Sequence, residues 1–283
     1  MTQDASGYPI DTENVSEMAR LTRQGRVYTA AIGLLPERMT LAPGQSVLDI
    51  GCGPGEWVLA MAEQHRDVRV TGIDVSQLMT QYARMMADER GLQNLQLRVM
   101  DARATLDFPD ESFDLVHSRL VGGFLSAEGW PAYLAECYRV LKPGGIFMDV
   151  ETDDMGISTS PSLTRLMSLG MASMRRTGHC FNSEGDHGGL AAIHPRLLRD
   201  AGFSALRREA FPLDFSFGSE AHEEMVQDWA IVFRLGMPFI ARLGLASEDD
   251  LRVLYARAIE EMRDPDFSAV VFVQRIWGVK AEA

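Results

Sequence analysis

Three acids and one run of glycines carry the chemistry that can be read in this sequence. Asp49 lies just inside the end of the short apolar run Ser46 to Ile50. The glycines of Gly51-Cys52-Gly53-Pro54-Gly55 follow at once; they permit positive φ and let a ligand approach the backbone closely. Asp74 ends Val70-Thr71-Gly72-Ile73-Asp74, about one βα unit later, where an acid can accept from both hydroxyls of a ribose. Asp101 ends Leu95 to Asp101, a place from which a carboxylate can accept from an adenine amine. Glycine turns often cradle a pyrophosphate, but the spacing here is G-x-G-x-G rather than G-x-G-x-x-G. A carboxylate at position 49 repels phosphate and suits an ammonium group. The set describes a nucleoside that carries an amine, with a nicotinamide dinucleotide as the alternative ligand.

These acids need strand ends to hold them. Ser46 to Val150 alternates short apolar runs with helical patterns, which predicts a parallel sheet. Helices are expected at about 53–65, 76–91 and 128–142, with Ser76 as the N-cap of the second. Its methionines read as core packing. Phe113 to His117 reads as the fourth strand, and Pro143-Gly144-Gly145 turns into a fifth, Ile146 to Glu151. Val15 to Leu35 reads as a helix on which Arg20 and Gln24 share a face. Thr152 to Leu190 looks less regular. Pro195 to Gly202 is expected as a short helix, Ala205 to Phe217 as a sixth strand, Ser219 to Met262 as two or more helices, and Ser268 to Val279 as a seventh strand. No repeat or linker marks a second domain, so residues 1–283 are read as one.

At this point the chain resembles the class I S-adenosylmethionine-dependent methyltransferases. The matching segments are Val47 to Gly55, Gly72-Ile73-Asp74-Val75-Ser76, Met100-Asp101-Ala102, Phe108 to Val116, and Arg139 to Gly145. The resemblance implies an α/β, Rossmann-like, mostly parallel seven-stranded sheet flanked by helices, its last strand antiparallel between the fifth and sixth. It also implies an N-terminal helical lid (1–45), a cofactor-binding core (46–151) and helical cap insertions among the remaining strands (152–283). S-adenosylmethionine is the implied cofactor. Gly51, Cys52 and Gly53, with Gly55, would let the loop approach it, and Asp49 would support the loop and the amino group. Asp74 would bind the ribose, Val75 and Met79 would flank the adenine, Asp101 and Ala102 would recognise its amine edge, and Ser118 would line the methionine side. From the lid, Tyr8, Arg20 and Gln24 would reach the cofactor, Arg20 toward the methionine carboxylate. Methyl transfer from a sulfonium needs alignment and a dry pocket more than acid–base help. If the acceptor must lose a proton, His117 is the expected base; the plainer reading is a histidine that only hydrogen-bonds near the cofactor.

Composition bounds the partners. The chain has 46% hydrophobic residues and a formal net charge of -13, with a pI near 4.9. Such a surface repels phosphate backbones, so neither nucleic acid nor an anionic membrane is expected. Three cysteines, widely spaced, argue for a reducing compartment, and the polar N-terminus argues against a signal peptide; the expectation is a cytoplasmic protein. A homodimer is the assembly considered. His179, Cys180, Asp186, His187 and His194 match no compact metal pattern, and no metal is expected. Met167 to Met174, Phe211 to Phe217 and Trp229 to Phe239 are rich in Met, Phe and Trp. They suggest a cap over a small, largely apolar acceptor beside His117 to Phe124. The rival from another class is a protein that binds adenosylmethionine and steers a rearrangement without transferring methyl.

Overall fold

In a computed structural model, which describes residues 10–282, five strands set the frame: β1 (Ser46–Ile50), β2 (Arg69–Asp74), β3 (Leu95–Val99), β4 (Phe113–Arg119) and β5 (Leu141–Thr152). They lie in the order β3-β2-β1-β4-β5 and pair in parallel throughout. Order reverses between β1 and β4, which opens a crevice beyond their carboxyl ends. A long strand, β8 (Ala269–Lys280), runs antiparallel between β5 and β7 (Phe203–Asp214), as expected. Among the described residues the sheet has eight strands rather than seven, because the two-residue β6 (Ile157–Ser158) also pairs with β8. A two-residue strand has no periodicity to betray it.

Alternation along the central strands sorts side chains to two faces. Leu48, Ile50, Val116 and Phe147 pack with Trp130, Leu134 and Cys137 of α4 (Trp130–Val140). Val47, Leu115 and Met148 pack on the other face with Trp57, Val58 and Met61 of α2 (Glu56–Gln64). Burying each of these large side chains contributes about 1.5–3 kcal/mol relative to exposure. The same alternation aims Asp49, His117 and Arg119 toward the α2 face, and Ser118 and Asp149 toward the α4 face. α3 (Gln77–Glu89) is capped by Ser76, whose Oγ accepts from Met79 N at 3.1 Å.

The N-terminal helix α1 (Val15–Ile32), expected as a lid, starts where Asn14 Oδ1 accepts from Ser16 N at 2.8 Å, and it stops at Gly33. It packs against α7 (His222–Arg242), which is followed by α8 (Glu248–Glu261). The segment expected to be irregular contains α5 (Pro161–Arg176), sixteen residues long. Ser160 caps it and Pro161 opens it, while Leu163, Leu166, Met167, Gly170 and Met171 form its buried stripe. The helix expected from Pro195 begins earlier, as α6 (Leu190–Asp200). Proline inside a helix leaves the carbonyl four residues back without its donor. Here that carbonyl, Ala191 O, accepts from Arg208 Nη1 at 2.9 Å, so the helix runs through. No helix among the described residues is long and apolar enough to cross a membrane.

Candidate active site

A cavity of about 350 Å³ lies past the carboxyl ends of the strands, between the glycine turn, the lid and the cap. Asp49, Gly51, Cys52, Gly53, Asp74, Val75, Met79, Asp101, Ala102 and His117 all line it, together with Arg20 and Gln24 of α1. Gly55, at the foot of the turn, does not line it; a Cβ there would meet Ala83 Cβ at 2.8 Å. Tyr8 lies outside the described residues.

The glycine turn is tied to β2 by two bonds to one carbonyl: Gly51 N and Cys52 N donate to Ile73 O at 2.8 and 2.9 Å. Gly51 has φ +71°, and a Cβ there would come within 3.4 Å of the Phe124 ring, so this position favours glycine twice over. Asp74 braces the turn. Its Oδ2 accepts from Gly53 N and its Oδ1 from Ser76 N, each at 2.8 Å. One lone pair on each oxygen stays available toward the cavity. Burial pushes the Asp74 carboxyl above its ordinary range, and the two backbone donors oppose that.

Asp49 is buried, and its Oδ1 lies 2.6 Å from His117 Nδ1. A carboxylate only accepts, so this geometry puts the imidazole proton on Nδ1. The His117 ring stacks on Trp57 with centroids 3.8 Å apart and planes at 8°, and Trp57 Nε1 donates to Leu34 O at 3.2 Å. Burial lowers the His117 pKa, while the Asp49 carboxylate pulls the other way. Asp101 is held by Arg103, whose Nε and Nη2 donate at 3.0 and 2.7 Å and which lowers the Asp101 pKa.

One expected contact is corrected, and a second, Arg20, has partners the sequence did not announce. Ser118 does not line the cavity: alternation turns it to the α4 face, where it is fully buried and its hydroxyl donates to Asp149 Oδ1. Arg20 does line the cavity, but its donors go to two carboxylates of this chain. Nε and Nη2 reach Glu17 at 2.8 and 2.6 Å, and Nη1 reaches Asp228 Oδ1 at 3.0 Å. Gln24 Nε2 reaches Asp228 Oδ2 at 3.5 Å. These bonds fasten the lid to α7.

Sequence reasoning passed over four residues of this site. Arg119 shares the face of His117, lines the cavity and donates through Nη1 to Thr29 Oγ1 at 3.2 Å. Tyr28 continues the Arg20, Gln24 face by one more turn, a signal that was available at i, i+4 spacing. Asp228 and Glu151 gave no local signal. On the cap side the wall is Met155, Met171, Met174, Met225, Trp229 and Val232. The Phe211 to Phe217 segment lies elsewhere, mostly along β7. No three His, Cys, Asp or Glu side chains among the described residues are grouped to hold a metal ion.

Comparison with known proteins agrees with this geometry. Residues 47–145 match the family described as "Methyltransferase domain". The demethylmenaquinone methyltransferase of Listeria welshimeri is 36% identical over 121 residues, 42% of this chain and 50% of that protein. Phosphoethanolamine N-methyltransferase 1 of Arabidopsis thaliana is 39% identical over 130 residues, 44% of this chain and 25% of that protein. The chain thus spans about half the length of the first relative. The solved structure of the [4+2]-cyclase SpnF shares the fold, with TM-score 0.57 at 23% identity over 99% of this chain and 89% of that one. Residues 47–145, which hold the glycine turn and all three acids, thus resemble a methyltransferase domain.

Proposed function

We propose that this protein binds S-adenosylmethionine and catalyses transfer of its methyl group to a small, largely apolar molecule. The observation that carries the reading is one cavity edged by Asp49, Asp74, the glycine turn and Arg119, with a methionine-rich wall opposite. The side chains fit the cofactor's charges. Asp49 suits its ammonium, and the Arg119 guanidinium, with Arg20 on the same cavity, suits its carboxylate. Asp74 keeps acceptor capacity for a ribose, and Val75, Met79 and Ala102 supply an apolar slot for adenine. When bound, the group supplies an activated methyl on a sulfonium. The chain's own residues align it, exclude water and shape the acceptor space.

His117 acts here as a positioning residue. Its ring is held by Asp49 and stacked on Trp57, and the Nδ1–H turned to Asp49 orients that carboxylate. The apolar wall supports a small-molecule acceptor. A phosphorylated acceptor is disfavoured because Glu151, Asp153, Asp154 and Asp228 all line the cavity and repel phosphate. The charge of -13 likewise disfavours nucleic acid.

Calorimetry tests the cofactor. Asp74→Ala removes an acceptor for two ribose hydroxyls, and charged hydrogen bonds are worth about 1.5–3 kcal/mol each, so adenosylmethionine affinity drops at least about tenfold. Tight NAD binding without adenosylmethionine binding overturns the reading. Turnover tests the reaction: S-adenosylhomocysteine appears beside a methylated product. Conversion of substrate with the cofactor unconsumed favours the rearrangement instead.

A further inference from the structure

Glu151 sits near the end of β5, is 4% exposed and opens on the same cavity as Asp49. The chain goes to some length to hold it there. Leu120, at the end of β4, takes a left-handed φ of 58°, which a leucine adopts only under constraint from its surroundings. That residue starts a 3₁₀ turn, Val121–Gly123, which aims Gly122 N at Glu151 Oε1, 3.1 Å away. A Cβ at residue 122 would lie 3.1 Å from Oε2 and 3.6 Å from Leu190, so glycine gives the carboxyl its room.

The neighbouring acids of the cavity have other work. Asp228 pairs with Arg20, Asp153 Oδ1 accepts from Ala191 N, and Asp154 Oδ1 accepts from Gly156 N. Glu151 forms no ion pair among the described residues. Burial, with the nearby Asp149 charge, raises its pKa well above the ordinary carboxylate range. The other titratable or charged groups on the elements around it are Tyr28 of α1, Arg119 of β4, Asp228 of α7, His194 of α6 and Arg275 of β8.

We propose that Glu151 is a catalytic residue that takes the proton from the methyl acceptor, and that the acceptor is a molecule with an apolar body whose attacking oxygen or nitrogen carries that proton. The inference rests on the methyl-transfer reading above. In the step, the acceptor's O–H or N–H bond breaks and its proton passes to the Glu151 carboxylate. The freed electron pair forms the bond to the methyl carbon, and the sulfur–methyl bond breaks with its electrons retained on sulfur. The products are the methylated acceptor, S-adenosylhomocysteine and a protonated Glu151, which returns its proton to solvent. A carboxyl with a raised pKa suits this work, because a base is most effective when its pKa lies near the working pH.

The test uses the full chain with labelled adenosylmethionine and a probe panel of naphthols, aryl amines and their N,N-dimethyl counterparts. Wild type is expected to label the O–H and N–H members and not the tertiary amines. Glu151→Gln is expected to lower kcat about 10²–10⁴-fold. Its adenosylmethionine Kd, read by calorimetry, should stay within about twofold, as should that of Glu151→Ala. Wild-type kcat should rise with pH through a limb above the ordinary glutamate range, and the Gln variant should lack it. Unchanged turnover in both variants, equal labelling of tertiary amines, or no labelling of any probe by a wild type that binds the cofactor overturns the inference. Failure of wild type to bind adenosylmethionine overturns the underlying reading instead, and calorimetry tells the two apart.

Discussion

The protein buries two aspartate–histidine pairs on opposite faces of the sheet, and they are built to opposite ends. Asp49 and His117 meet at 2.6 Å on the α2 face, with the imidazole stacked on Trp57 and the carboxylate at the edge of the cavity. Asp149 and His194 lie on the α4 face, both fully buried and 3.3 Å apart. That second contact is misaligned: neither Asp149 Oδ2 nor His194 Nε2 has a hydrogen-bond partner among the described residues, and Trp130 Nε1 nearby has none either. One pair is fully braced and turned to the cavity. The other is enclosed and imperfectly satisfied, which is costly in a low-dielectric interior. The same two residue types therefore edge the cavity on one face of the sheet and lie enclosed on the other.

The largest effect is expected from breaking the first pair. Asp49→Ala removes the acceptor proposed above for the cofactor's ammonium and strands the His117 Nδ1–H inside the protein. Loss of one charged hydrogen bond, at about 1.5–3 kcal/mol, weakens adenosylmethionine binding roughly 10- to 100-fold by calorimetry. Asp49→Asn keeps the shape and loses the charge, and is expected to fold as wild type while still binding several-fold more weakly. Wild-type affinity in the Asp49→Asn variant would show that the pair does not face the cofactor.

The contrast also marks how far the sequence could be read. The glycine turn, Asp74 and Asp101 were legible because each sits at the end of a short apolar run, and strand ends in a parallel sheet gather at one crevice. Ser118 was misassigned because proximity to a strand end does not settle the face; alternation does, and it places Ser118 opposite to its neighbours His117 and Arg119. The place of Arg20 on the cavity was legible from its helix face, but its two acid partners could not both be seen: Glu17 is three residues away, while Asp228 is 208 residues on. Glu151 read only as the last residue of a strand. Its burial depends on a turn begun by a left-handed Leu120 and on α6, which no local pattern announces. α5 was missed although Ser160-Pro161 and the stripe from Leu163 to Met171 were its signals.

An intermediate effect is expected from the second pair, in stability rather than binding. Burial pushes His194 down to about 3, against an unfolded value near 6.5. Between those values the unfolded chain holds a proton that the folded chain refuses. His194 therefore contributes stability that is fully present above pH 6.5 and lost as pH falls toward 3, by at most about 1.4 kcal/mol per pH unit. Burial raises Asp149, so its contribution has the opposite sign: present at low pH and lost as pH rises through its elevated folded value. Between pH 4.5 and 6.5 the two contributions oppose each other, so removing His194 leaves that of Asp149 uncompensated. In denaturant titrations at pH 4.5, 5.5 and 6.5, His194→Leu should gain stability relative to wild type as pH falls, and an unchanged difference between the two across that range would remove His194 from the account.

The smallest effect on binding, and the sharpest division between the two faces, is expected at Ser118. It lies between His117 and Arg119 in the chain, both cavity residues, yet its hydroxyl donates to Asp149 Oδ1 across β4 and β5. Ser118→Ala deletes one donor to a buried carboxyl and leaves a gap of one oxygen. The cost is about 1–2 kcal/mol of stability, read as a lower denaturation midpoint at constant slope. Because the side chain points away from the crevice, adenosylmethionine affinity should stay within about twofold of wild type, far from the loss expected for Asp49→Ala. If Ser118→Ala instead weakened the cofactor as much as Asp49→Ala while leaving the midpoint unmoved, the hydroxyl would have to face the ligand. The division of the two aspartate–histidine pairs between the faces of the sheet would then fail at the residue that separates them.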